Sequence, residues 1–358
     1  MRRFLVAIAG LAGLIAAPVA AQSAYERAGV AYDSGDLAAA AELYRLACDE
    51  GEGTGCTDLG YMYERGEGVA QDEARAAALY GQACTGGEPH GCFNLGVMHD
   101  DGRGVAEDPA RAAEFYERAC DGGFLGACYN LAIHYEQGRG VAKDQARAAT
   151  LYRDSCDQGE AMSCTNLGFL HEAGTGVSQD QALAADLYRQ GCDGGNALGC
   201  SNLGVLHEDG IGVAQDNVQA ALLYGQACDA GLVTGCNNLG VLYENGRGVE
   251  QDATRAAELY RQACDGLDTL GCNNLGVMYQ GGSGVAQDEA RAAELYRGAC
   301  DGGEALGCSN LGALFHDGIG VSRDAARALA LYRQALELGL EPADDADVRG
   351  WIAELASP

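Results

Sequence analysis

The sixteen cysteines of this chain keep strict time. Cys48, Cys84, Cys120, Cys156, Cys192, Cys228, Cys264 and Cys300 stand 36 residues apart, and so do Cys56, Cys92, Cys128, Cys164, Cys200, Cys236, Cys272 and Cys308. No insertion or deletion breaks the phase. A fixed period of this size means stacked supersecondary units, each too small to bury its own apolar face. Contacts in such an array run only between neighbours. A length of 358 residues, large for a single core, is then no obstacle.

Each unit carries two helix patterns. In the third repeat the first reads GCFNLGVMHDDG, with Leu95 and His99 at helical spacing and Gly96 open to close approach by a neighbour. GRGV follows, with punctuating glycines and Val105 placed to tuck under the turn. The second helix reads DPARAAEFYERAC. Asp108 is its N-cap and Pro109 its first residue. Ala112, Phe115, Tyr116 and Ala119 share one packed face, and Asp-Gly-Gly stops the helix. The N-cap aspartate returns from Asp72 to Asp324, and the second-helix tyrosine from Tyr44 to Tyr332. These columns predict an all-α chain, a solenoid of helix-pair repeats.

The ends differ from the middle. MRRFLVAIAGLAGLIAAPVAA has a basic start, an apolar run and small residues before Gln22, so residues 1–21 read as a signal peptide. Residues 22–51 form a helix pair without the GxGV insertion, and residues 52–339 hold eight 36-residue repeats. Residues 340–358, with the single tryptophan Trp351, read as an acidic capping helix. After loss of residues 1–21, 21 basic face 52 acidic side chains, a net charge of −31. Such a surface repels phosphates, which argues against nucleic acid and anionic lipid as partners. No later segment is apolar enough for stable membrane insertion. The expected location is periplasmic or secreted.

Leu239-Gly240, Tyr243-Glu244, Gly246-x-Gly248-Val249, Asp252, Arg255-Ala256-Ala257 and Leu259-Tyr260 together resemble the Sel-one-like repeat, a relative of the tetratricopeptide repeat. The Cys-x7-Cys spacing resembles more narrowly the Helicobacter cysteine-rich protein family. The resemblance spans roughly residues 24–339. It departs at Ala132, which replaces the helix glycine, at Leu183 and Gln219, which replace the arginine, and at His99, His171 and His207, which replace tyrosine. It implies a right-handed α-solenoid superhelix with disulfide-linked helices, export, and protein–protein contact. Some members of that family carry the label of β-lactamase or penicillin-binding protein, so a β-lactam or cell-wall-related ligand is the alternative it implies.

Metal sites and redox motifs want thiolates two to four residues apart, and no CxxC occurs. An even count of cysteines in an exported chain suits an oxidising compartment. The first cysteine of each pair ends a second helix and the next opens a first helix, side by side across a short turn. Eight disulfides are expected: 48–56, 84–92, 120–128, 156–164, 192–200, 228–236, 264–272 and 300–308. A serine β-lactamase needs Ser-x-x-Lys, but the one lysine, Lys143, has Gly140 three residues before it. Nor do the six histidines form HxH or HExxH. No catalytic residue, metal or cofactor is therefore assigned.

The expected site is the concave groove lined by first helices. Its near-constant column is Asp58, Asn94, Asn130, Asn166, Asn202, Asn238, Asn274 and Asn310. Asparagine both donates and accepts, so the column suits the main chain of an extended peptide; equally, each amide could bond a neighbour and order the stack. Phe93, Tyr129, Ile133 and Phe169, from columns that vary between repeats, form the expected apolar contact patch. The acidic column Glu64, Asp100, Glu136, Glu172, Glu208 and Glu244 would border the groove or end solvated helices. Protein or extended peptide is the expected partner.

Overall fold

The computed structural model describes residues 22–340 and 342–355, so the expected signal peptide lies outside the described residues. Two compact units divide the chain after Asp144. The first holds α1 (Ala24–Asp33), α2 (Leu37–Asp49), α3 (Gly53–Arg65), α4 (Glu73–Thr85), α5 (Pro89–Asp101), α6 (Pro109–Asp121) and α7 (Leu125–Gln137). The second holds α8 (Gln145–Cys156), α9 (Ala161–Ala173), α10 (Gln181–Asp193), α11 (Ala197–Asp209), α12 (Asn217–Asp229), α13 (Val233–Asn245) and α14 (Ala253–Asp265). It continues with α15 (Thr269–Gly281), α16 (Glu289–Asp301), α17 (Ala305–Asp317), α18 (Ala325–Glu337) and α19 (Pro342–Leu355). Among the described residues there is no strand. Within each unit consecutive helices pack against each other and first helices also meet first helices, as in an α-solenoid.

The repeat made by α13 and α14 shows why the sequence folds this way. Gly246 ends α13 in the left-handed region, where its N–H donates to the Leu242 carbonyl. Gly248, at φ 70°, crosses the first turn of α12 so closely that a Cβ would sit 2.1 Å from the Asn217 carbonyl oxygen. Asp252 then caps α14 by accepting from the Arg255 N–H at 2.9 Å. Gly240 faces the ring of Tyr260, where a Cβ would meet Cε1 at 2.7 Å. That missing side chain lets a tyrosine lie flat between the two helices. Leu239, Leu242, Leu259 and Ala263 close the core with the cysteines of the preceding joint.

Each joint is stapled as expected. All eight bonds link cysteines eight apart, from Cys48–Cys56 to Cys300–Cys308. No cysteine is free. The turn between the paired cysteines uses a glycine of positive φ in seven of these joints; at the eighth Leu267 takes φ 70° and stands 87% exposed. At the far end of the second unit, Val348, Trp351, Ile352 and Leu355 of α19 pack on the last core cluster around Phe315 and Tyr332.

Candidate functional site

On each first helix the asparagine column is half-buried. Three residues further on, the same face carries a column that is largely open. Tyr61 is 39%, Phe169 56%, Val205 37% and Val277 45% exposed, while Val97, Ile133 and Val241 are half-buried. A spacing of three places Asn166 beside Phe169 and Asn202 beside Val205. The face therefore pairs an inner polar row with an outer apolar one.

Much of the polar row is already engaged in the stack. The Asn310 amide donates to Asn273 Oδ1 at 2.8 Å, and Asn273 donates to Asn274 Oδ1 at 3.4 Å. Asn274 donates to Asn237 Oδ1 at 2.9 Å, and Asn237 to Asn238 Oδ1 at 3.5 Å. This relay joins α17, α15 and α13 with side-chain amides alone. In Asn238, Asn274 and Asn310 the column is thus bonded within the stack, through side chains rather than backbone. Asn94 lines an open cavity, and Asn166 is half-buried beside Phe169.

The apolar patch divides. In the first unit Phe93 is half-buried beneath Phe124, with ring centroids 4.7 Å apart, and touches Tyr116 at 5.9 Å. Phe124 occupies the N-cap position of α7 but cannot accept a hydrogen bond, so its ring covers Phe93 and His90 instead. Tyr129 and Ile133 are half-buried in the same unit. Phe169, in the second unit, is the open member of the four.

Four members of the acidic column are tied to second helices rather than left as solvated ends. Glu64, Glu172, Glu208 and Glu244 accept hydrogen bonds of 2.5–2.8 Å from the buried hydroxyls of Tyr80, Tyr188, Tyr224 and Tyr260. Burial first, and then these carboxylates, push all four hydroxyls well above the usual phenol range. Arg103 and Arg247, from GxGV loops one repeat on, clamp Glu64 and Glu208 at 2.6 and 2.8 Å. Asp100 departs from this pattern. It meets the buried His134 at Nε2, 3.2 Å away, and the exposed Arg139 at 3.3 Å, a cluster that the sequence reading missed. His134 occupies a column that is Met or Leu in other repeats, and that substitution was its signal. His99 stacks on Phe115, and His99 and His171 turn Nδ1 toward the carbonyls of Ala106 and Ser178. The imidazoles thus fill the tyrosine slot and touch the loop.

Among the described residues no group of three or more His, Cys, Asp or Glu side chains could hold a metal ion. None of the described helices is long and apolar enough to cross a membrane. The eight disulfides point to an oxidising compartment.

The Sel1 repeat family matches the chain in nine segments: residues 22–52, 54–88, 89–124, 126–160, 161–196, 197–232, 233–266, 269–304 and 305–340. Among solved structures, the chain is similar to c5321, a protective antigen present in uropathogenic Escherichia coli strains and displaying an SLR fold. The two are 28% identical over 93% of this chain and 79% of that one, with a TM-score of 0.67. A Sel1 repeat protein from Oxalobacter formigenes is 23% identical over 88% of this chain and 89% of its own, with a TM-score of 0.66, a likeness of fold. Helicobacter pylori cysteine-rich protein B is 31% identical over 37% of this chain and 96% of its own, with a TM-score of 0.31. Comparison with curated proteins gives no match.

Proposed function

Because the chain belongs to the Sel1 repeat family, we propose that it is an exported interaction scaffold that binds a polypeptide segment along its first-helix face. Repeat arrays of this kind present extended surfaces, and partner choice then comes from side chains that vary on a fixed frame. The observation that carries the reading is Phe169, a large aromatic ring 56% exposed beside a half-buried asparagine. Aromatic anchors flanked by polar groups dominate binding energy at protein interfaces. Stapled joints keep this face pre-organised, which lowers the entropy lost on binding.

A photo-crosslinking amino acid at position 169, in the native host, tests the binding face. The matched control is position 222, because Leu222 is 59% exposed on a second helix. Adducts are expected from 169 and not from 222. Equal yields from both, or none from 169, would overturn the reading. Export is checked by fractionation and by sequencing the mature N-terminus, expected at Gln22. The scaffold reading also expects no turnover of a chromogenic β-lactam by the purified protein, and turnover above background would refute it.

A further inference from the structure

The asparagine column begins with an exception. Asp58 stands where the next seven repeats carry asparagine. An asparagine can donate, as Asn274 and Asn310 do, whereas a carboxylate only accepts. The one hydroxyl that acts on it is that of Tyr25 on α1, which favours the charged carboxylate. Among the described residues no lysine or arginine pairs with Asp58. The nearby His90 is committed to Glu88, 2.9 Å from its Nδ1.

Asp58 opens onto two adjoining cavities of the first unit. One, of about 340 Å³, is lined by Tyr25, Asp58, Tyr61, Glu88, His90 and Asn94 among others. The other, of about 200 Å³, is lined by Tyr32, Tyr44, Asp58, Tyr61 and Met62. The two cavities share Asp58 and Tyr61, and between them four tyrosines and two carboxylates line the space. Burial holds the Asp58 carboxyl above its usual range, and the charge of Glu88 adds to this. A cation would relieve both. Tyr61 already shows that its ring takes a guanidinium, since Arg65 lies over it at 5.0 Å from the centroid.

We propose that the pocket around Asp58 and Tyr61 receives an arginine side chain of the bound polypeptide. The inference rests on the scaffold reading above and names the chemistry of its partner, a basic extended segment. Arginine fits better than lysine. Its planar group stacks on tyrosine and presents paired N–H donors to a carboxylate. An apolar anchor would leave the Asp58 charge buried and unmatched.

The test uses the full chain and two fluorescein-labelled peptides, Gly-Ser-Gly-Ser-Arg-Ser-Gly-Ser-Gly and the same peptide with neutral citrulline for arginine. Binding is read by fluorescence anisotropy at low ionic strength. The arginine peptide is expected to bind at least tenfold more tightly. Asp58→Asn should bring the two peptides within twofold of each other, and Tyr61→Leu should cut the preference at least threefold. Asp58→Asn restores the residue of the other repeats, so it is expected to fold, which the thermal melt checks. Glu258→Gln removes one exposed charge on α14 and should leave the preference intact, which separates the pocket from the general acidic field. Equal binding of the two peptides to the unmodified protein overturns the proposal, as does a preference that survives Asp58→Asn. The wider reading is judged separately. Crosslinking from position 169 with no arginine preference removes the pocket and keeps the scaffold. An arginine preference without crosslinking keeps the pocket and removes the first-helix face as the general docking surface.

Discussion

Removal of one staple should loosen one joint and leave distant joints alone. The informative variant is Cys228→Ala with Cys236→Ala. The bond closes a span of eight residues between α12 and α13, and its two cysteines are 3% and 1% exposed. For so short a loop, the chain-entropy model gives roughly 2.5 kcal/mol at 25 °C. Loss of two buried sulfur atoms adds about 1 kcal/mol. The backbone bonds of the turn remain, including Gly231 N–H to the Cys228 carbonyl and Leu232 N–H to the Ala227 carbonyl, both 2.9 Å. The joint should therefore open more often without losing its helices. Because a linear array is held neighbour by neighbour, the loss is local. Hydrogen exchange read by mass spectrometry should speed up by about 70- to 400-fold around the joint, in line with roughly 2.5–3.5 kcal/mol at 1.36 kcal/mol per decade. Peptides from α17 and α18 should stay within about twofold. A uniform acceleration through the second unit would refute the reasoning, because the staple would then act on global unfolding. No acceleration at the joint would refute it equally.

Four further outcomes follow from single residues or columns. Asn274→Ala breaks the amide relay and leaves the buried Asn237 oxygen without its 2.9 Å donor, so a loss of about 1–2 kcal/mol in urea unfolding is expected; no loss would mean that the relay is incidental. Tyr260→Phe removes the 2.6 Å bond to Glu244 and should destabilise by about 1–2 kcal/mol. The raised hydroxyls of Tyr80, Tyr188, Tyr224 and Tyr260 also fix an alkaline limit. Unfolded tyrosines ionise near pH 10 while these stay protonated, so their contribution is full below about pH 10 and is lost above it. The urea midpoint should fall there together with a delayed rise in tyrosinate absorbance, and tyrosines that titrate normally in the folded protein would refute this. Leu267→Gly replaces the one left-handed leucine of the joints, 87% exposed. It should raise stability by about 0.5–1 kcal/mol, the relief of strain less the added freedom of the unfolded chain; a lower urea midpoint would mean that the leucine is held by contacts rather than strained.

Helix positions and staples were legible because each rests on a local rule repeated in register. An aspartate caps, a glycine ends or yields to a ring, and two cysteines face each other across a short turn. The site was less legible, because its contacts are diagonal. Asn274 meets Asn237, 37 residues back, and only the lateral offset between neighbouring first helices decides that pairing. Phe93 promised an exposed ring. Its cover, Phe124, sits at a helix start where every other repeat but one, which has Leu232, carries glutamate, aspartate or asparagine. The acidic column was open to reading as a groove border or as solvated helix ends because nothing in its spacing shows that a tyrosine sixteen residues on will reach it.

These diagonal contacts bear on where selectivity can reside. A strict 36-residue period leaves loop insertions no part in making one repeat unlike another. Differences can enter only as substitutions at fixed columns, and each acts within its own neighbourhood. From α13 to α17 the polar row is closed on itself by the amide relay, so the main chain of a partner finds few free donors there. In the first unit the row opens at Asp58 and Asn94, beside a cavity rimmed by tyrosines. Phe169 offers an apolar ring with its asparagine half-buried alongside. The same two columns thus serve as structural mortar in one stretch and as open chemistry in another. A partner that reads this face must therefore read the substitutions, and the repeats where the amides are spent contribute rigidity instead.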